Sequence, residues 1–85
     1  MNIEINLPDY ADALGVQSSW EEGFEIASKI IADEIVITAN RQGLISLAKQ
    51  LLILAQDDVP IGAHVHLDEI NSLEMESVPL ILQKV

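Results

Sequence analysis

The segment from Asn40 to Gln56 constrains the fold most, because its apolar residues recur at helical spacing more plainly than anywhere else in the chain. Leu44, Leu47, Ala48, Leu51, Leu54 and Ala55 follow at steps of three and four, which at about 3.6 residues per turn sets them on one face. A face of that kind needs a sheet to lie on. Asn40 is a good N-cap, since its side-chain carbonyl can accept a backbone N–H that a helix start leaves unpaired, and Asp57-Asp58 followed by Val59-Pro60 closes the segment. The spacing therefore predicts a helix over about residues 41–56. Ile45, Leu52 and Ile53 add a second apolar flank, wider than one sheet face covers, so something further is expected to pack there.

The remaining segments read mostly as strands. Met1 to Leu7 alternates, with Ile3, Ile5 and Leu7 on one side and Asn2, Glu4 and Asn6 on the other, until Pro8 stops it. Asp9 to Ser19 is irregular, contains Gly15, Asp9 and Asp12, and reads as a connecting loop. Trp20 to Ala39 admits two readings. Ser19-Trp20-Glu21-Glu22 matches a capping box, with Trp20, Phe24, Ala27 and Ile31 in helical register, but Gly23 weakens that helix and the same residues also alternate. A β-hairpin is preferred, with strands near Phe24 to Ile30 and Glu34 to Ala39 around a turn at Ala32-Asp33-Glu34. Beyond Pro60-Ile61-Gly62, a strand is expected at Ala63 to Asp68, with Ala63, Val65 and Leu67 on one face and His64, His66 and Asp68 on the other. Asn71 to Glu76 is rich in turn formers and carboxylates, and Ser77 to Val85 reads as a last strand, at an edge or bulged at Pro79. The expected class is α+β: an antiparallel sheet of about five strands in one domain spanning residues 1–85, with one main helix packed on one face. One helix cannot cover such a sheet, so self-association as a two-fold homodimer is expected.

Composition narrows the function. Apolar residues make up 49% of the 85 and aromatics 4%, so the core is built from Ile, Leu, Val and Ala. The absence of cysteine removes disulfides, thiolate metal sites and a Cys nucleophile, and it fits a reducing cytoplasm. No basic leader precedes an apolar run and no run is long enough to span a membrane, so a soluble, unexported protein is expected. The formal charge is −10, from 14 acids against Lys29, Arg41, Lys49 and Lys84. Such a field repels nucleic acid and anionic lipid and speeds encounter with a basic partner, although acidic surface also simply keeps a small greasy domain soluble.

His64-x-His66-x-Asp68 is the most chemical-looking cluster, because residues two apart on a strand point the same way and two imidazoles with a carboxylate can converge on a metal. Three ligands on one straight strand rarely meet a metal unaided, and exposed or interface histidines beside carboxylates are the plainer reading. There is no Gly-x-Ser-x-Gly elbow and no phosphate cradle; Gly43 is the only glycine near a helix start. Arg41 stands in the first helical turn, where the helix dipole disfavours a cation, and a salt bridge is its usual explanation. Residues 50–83 hold no Lys or Arg but do hold Asp57, Asp58, Asp68, Glu69, Glu74 and Glu76, in two loops flanking the His64 strand. They are expected to form either one negative patch for a cationic groove or a solvated rim.

Taken together, Ile37-Thr38-Ala39-Asn40-x-x-Gly43-Leu44-x-Ser46-Leu47-Ala48-x-x-Leu51-Leu52-x-Leu54-Ala55, Pro60-x-Gly62-x-His64-x-His66-Leu67-Asp68 and Asn71-Ser72-Leu73-Glu74 resemble a family of small immunity proteins of bacterial polymorphic toxin systems. The resemblance covers roughly residues 20–85. Members tend to carry a glycine turn after these acids, where this chain has Met75-Glu76. It implies an α+β protein that acts by binding a cognate toxin, with no catalysis and no cofactor. Many such toxins are nucleases with basic grooves, against which an acidic inhibitor presents carboxylates in place of phosphates. The expected contact surface is Asp57, Asp58, His64, His66, Asp68, Glu69, Glu74 and Glu76. Competing expectations are a metal-binding protein or small metal-dependent enzyme using His64, His66 and Asp68, and a homo-oligomeric structural module.

Overall fold

A computed structural model describes residues 1–11 and 15–85; part of the expected Asp9 to Ser19 loop, residues 12–14, lies outside them. The order of elements is β1 (Ile26–Ile31), β2 (Glu34–Ala39), α1 (Arg41–Ala55), β3 (His64–Leu67) and β4 (Leu80–Gln83). β1 and β2 form one antiparallel hairpin, and β3 and β4 form a second, separate antiparallel pair. The class is thus α+β, but the single sheet of about five strands is corrected to four strands in two small sheets.

The first hairpin closes through Ala32 and Asp33, both at positive φ (51° and 65°), the two-residue geometry whose twist matches that of the flanking strands. Its register pairs Ile31 with Glu34 and Ile26 with Ala39. Glu25 continues the pairing, its carbonyl accepting from Asn40 N at 3.1 Å. The hairpin reading of Phe24 to Ala39 is therefore what the chain adopts.

The outer edge of β1 is covered by a segment that is not itself a strand. Glu74 N donates to Ile26 O (2.8 Å), Val78 N donates to Ser28 O (2.9 Å), and Ser28 N donates to the Ser77 hydroxyl (3.2 Å). The buried Ser28 hydroxyl donates to Val78 O. This explains why the expected last strand over Ser77 to Val85 shrinks to Leu80–Gln83: residues 74–78 are spent on β1 before the chain, past Pro79, turns to pair with β3. Between the hairpins lies a core of Ile26, Leu67 and Leu73, with Trp20, Phe24, Ala39, Leu47, Val65, Leu80 and Leu82 packed against it. Trp20 and Phe24 stack with centroids 4.8 Å apart.

The expected strand at Met1 to Leu7 does not form. Its alternation survives as burial, with Ile5 and Leu7 half-buried and Glu4 and Asn6 exposed, but no ladder partner reaches it among the described residues. A period-two pattern becomes a strand only where an edge is offered at the right height.

The helix also lies differently from expectation. Its buried side carries Gly43, Ser46, Gln50, Ile53 and Leu54, while Leu44 and Leu51 stay exposed and Leu47 and Ala48 are half-buried. The reason is what covers it. Instead of a sheet face, α1 meets the irregular segment Ser19 to Glu25, whose unpaired backbone groups need polar partners. Glu21 N donates to Ser46 Oγ at 2.8 Å, and Gln50 Nε2 donates to Ser19 O at 2.6 Å. At the helix start Asn40 Oδ1 accepts from Gly43 N (2.7 Å) and Glu25 N (3.0 Å), while its Nδ2 donates to Gly23 O (3.0 Å).

Asn40→Ala is expected to cost more than the loss of an ordinary cap, about 2–3 kcal/mol by urea denaturation, because Glu25 N and Gly23 O lose their partners too. Asn40→Asp, which keeps the acceptor and loses the donor, should fall between. Gly43→Ala is expected to destabilise by about 1–3 kcal/mol despite alanine's better helix propensity, because a Cβ there would overlap Glu25 O and touch Ala39 Cβ. A urea midpoint for Gly43→Ala at or above wild type would show that α1 does not sit this close to Glu25.

Candidate functional site

β3 presents its side chains as the alternation requires: Leu67 is buried and Val65 half-buried on the core side, and His64 and His66 are exposed on the other. Their rings meet edge to face, centroids 5.0 Å apart, and His64 Nδ1 lies 3.0 Å from Gly62 O. Asp68 does not complete this row. The strand ends at Leu67, and the Asp68 carboxylate turns into the following loop, where Oδ1 accepts from Ile70 N (3.0 Å) and Asn71 N (3.1 Å). Asn71 closes the knot by accepting from Asp68 N and donating to His66 O. Asp68 therefore holds the turn together. Among the described residues no group of three or more His, Cys, Asp or Glu side chains could hold a metal ion.

The loop from Asp68 to Glu76 is folded on itself. Glu69 Oε1 accepts from Glu76 N at 2.9 Å, which draws Glu69 and Glu76 together. Glu76 adopts φ +68°, the left-handed conformation natural to glycine, at the place where the resembled family carries a glycine turn. Glu74 and Glu76 are exposed, and their carboxylates take no hydrogen bond or ion pair among the described residues.

Asp57 and Asp58 are exposed in the turn that follows α1, at the other end of β3. That end is marked by Lys84, which follows β4: its Nζ donates to Gln56 O and Val59 O, both at 2.8 Å, and its carbonyl accepts from Gly62 N. A four-residue strand spans about 10 Å, so the two acidic loops stand at opposite ends of the histidine pair. The acids thus form two clusters separated by His64 and His66, and Lys84 offsets the first.

Glu25 belongs with the second cluster and carries no signal of its own in the sequence. A shallow pocket of ≈ 230 Å³ is lined by Glu25, Ile26, Ala27, Thr38, Ala39, Asn40 and Glu74. Pairing Glu25 with Asn40 follows from the hairpin register, but only the bond from Glu74 N to Ile26 O brings the second carboxylate to the same rim. Both carboxylates are exposed.

No helix of the described residues is long and apolar enough to cross a membrane. No curated protein and no solved structure shows significant similarity to the chain. A family model, Immunity protein 32, matches residues 34–85, a span that holds β2, α1, β3, β4 and both acidic loops. The match takes in well over half of the sequence, and the protein belongs to the Immunity protein 32 family.

Proposed function

We propose that this protein neutralises a cognate toxin by binding it, and performs no chemistry of its own. The observation that carries the reading is the family match, whose span includes all eight residues of the expected contact surface. The electrostatics support it. The 14 carboxylates outnumber the four cations, of which Lys49 pairs with Glu21 at 3.3 Å and Lys84 stands at the Asp57-Asp58 end. A surface of that sign attracts and orients a basic partner.

The contact surface we infer runs from Asp57 and Asp58 across His64 and His66 to Glu74 and Glu76, with Glu25 added at the second end. Asp68 and Glu69 contribute by holding the loop, since their carboxylates accept backbone N–H groups within it. A nuclease is the toxin class this charge suits best, because a groove lined with Lys and Arg to receive phosphates receives carboxylates equally well. The compartment in which such a toxin would be met is the cytoplasm.

Co-expression with the product of a toxin-like reading frame, sought beside the gene, tests the reading. Co-expressed with its product, the wild-type chain should restore growth and co-purify. Asp57→Lys/Asp58→Lys and Glu74→Lys/Glu76→Gly should each weaken the complex about tenfold or more, chiefly through association, while circular dichroism stays unchanged. Glu76→Gly suits this purpose, since glycine accepts the positive φ without strain. An association rate indifferent to salt and to both double substitutions would remove the acidic surface from the interface.

A further inference from the structure

The first hairpin leaves one edge open. With Ile31 and Glu34 closing the two-residue turn as a hydrogen-bonded pair, Lys29 bonds Val36 and Ala27 bonds Thr38 across the hairpin, in step with the bond from Asn40 N to Glu25 O. The alternate residues point their backbone groups outward. On β1 these are Ile26, Ser28 and Ile30, of which residues 74–78 take up the first two. On β2 they are Ile35 and Ile37, whose N–H and C=O find no partner among the described residues. α1 does not shield them: Asn40 bonds Gly23 and Glu25 and Gly43 abuts Glu25, so the helix leaves over the β1 side.

This edge is also apolar. Ile35 is 70% exposed, Ile37 40% and Ile30, directly across from Ile35, 63%. From Ile35 to Gln56 the chain has no acidic residue and only Arg41 and Lys49 as charges, so along this stretch a molecule of net charge −10 can approach its own copy with little repulsion.

We propose that β2 pairs antiparallel with β2 of a second copy, about a two-fold axis at Ile37, giving a continuous sheet β1-β2-β2-β1 whose outer edges are covered at Ile26 and Ser28 by residues 74–78. Charge selects the register. With the axis at Ile37, Ile35 faces Ala39 of the second copy, Glu34 faces its Asn40, and the Asp33-Glu34 turn comes up to its Arg41. Arg41 is exposed, has no ion pair among the described residues and stands where the dipole of its own helix repels it, so the other copy's acids supply what it lacks. An axis at Ile35 or at Val36 sets Asp33 or Glu34 against apolar or hydroxyl side chains and leaves Arg41 without a partner. The two-fold doubles the contact.

Sedimentation equilibrium on the full chain at tens of micromolar is expected to give twice the 9.3 kDa chain mass. Ile37→Lys, which sets two ammonium groups face to face at the axis, should give a monomer. Arg41→Glu and Glu34→Lys should each raise the dimer dissociation constant about tenfold, and combining them should restore it. Amide exchange at Ile35 and Ile37 should slow as concentration rises, a readout that needs no substitution and decides the matter should Ile37→Lys fail to fold. A monomeric wild type, a dimer indifferent to Ile37→Lys, or β2 amides protected only on adding a toxin would each overturn the pairing.

Discussion

The amide side chain of Asn40 is the joint on which the rest of the molecule depends. It stands between the last residue of β2 and the first of α1, and it reaches sideways to Gly23 and Glu25 as well as forward to Gly43. One side chain thus fixes where the helix begins, which way it leaves the hairpin and which segment it lies against. A cap that bonds only its own helix could not do this, since the direction of α1 would then rest on apolar contacts alone. Gly43 follows from the same joint: drawn onto Glu25 by Asn40, the helix passes too close there for any side chain.

The rest of the architecture is an exercise in covering edges. Two short hairpins have four outer edges between them, and exposed ladder groups invite pairing with other chains. One edge is closed from within by residues 74–78, which also fasten the second hairpin to the first through Ser28 and Ser77. These two serines are buried yet fully bonded, so they fix position at little cost in desolvation. The segment that closes the edge also carries Glu74 to the mouth of the first hairpin, and in this way stability and the acidic surface share one stretch of chain.

That surface is organised by ordinary loop chemistry. Asp68 and Glu69 have the residue type of a binding site, but their carboxylates satisfy backbone N–H groups, and what they hold in place is the exposed Glu74 and Glu76. The histidines between the two acidic ends meet edge to face on an exposed strand face, open to contact with a surface. An Immunity protein 32 family member with a formal charge of −10 has in this arrangement a broad, exposed acidic face to offer.

Sequence by itself determined the elements whose signal is local. The helix follows from its leucine spacing and Asn40, the first hairpin from alternation around Ala32-Asp33, and the exposed histidine face of β3 from the period of two. The resemblance to immunity proteins was legible in the same stretches, from Ile37 to Glu74. Tertiary structure decided whatever depended on a partner far along the chain. Ile3, Ile5 and Leu7 alternate as well as any strand but meet no edge, and Leu44 and Leu51 look like a buried face but lie outside because Ser46 and Gln50 are needed by the backbone of Ser19 to Glu25. Glu25 joined Glu74, and Asp57 was parted from Asp68, for the same reason: periodicity reports which side of an element a residue is on, while the neighbour it meets is set by hydrogen-bond groups that only the assembled chain brings within reach.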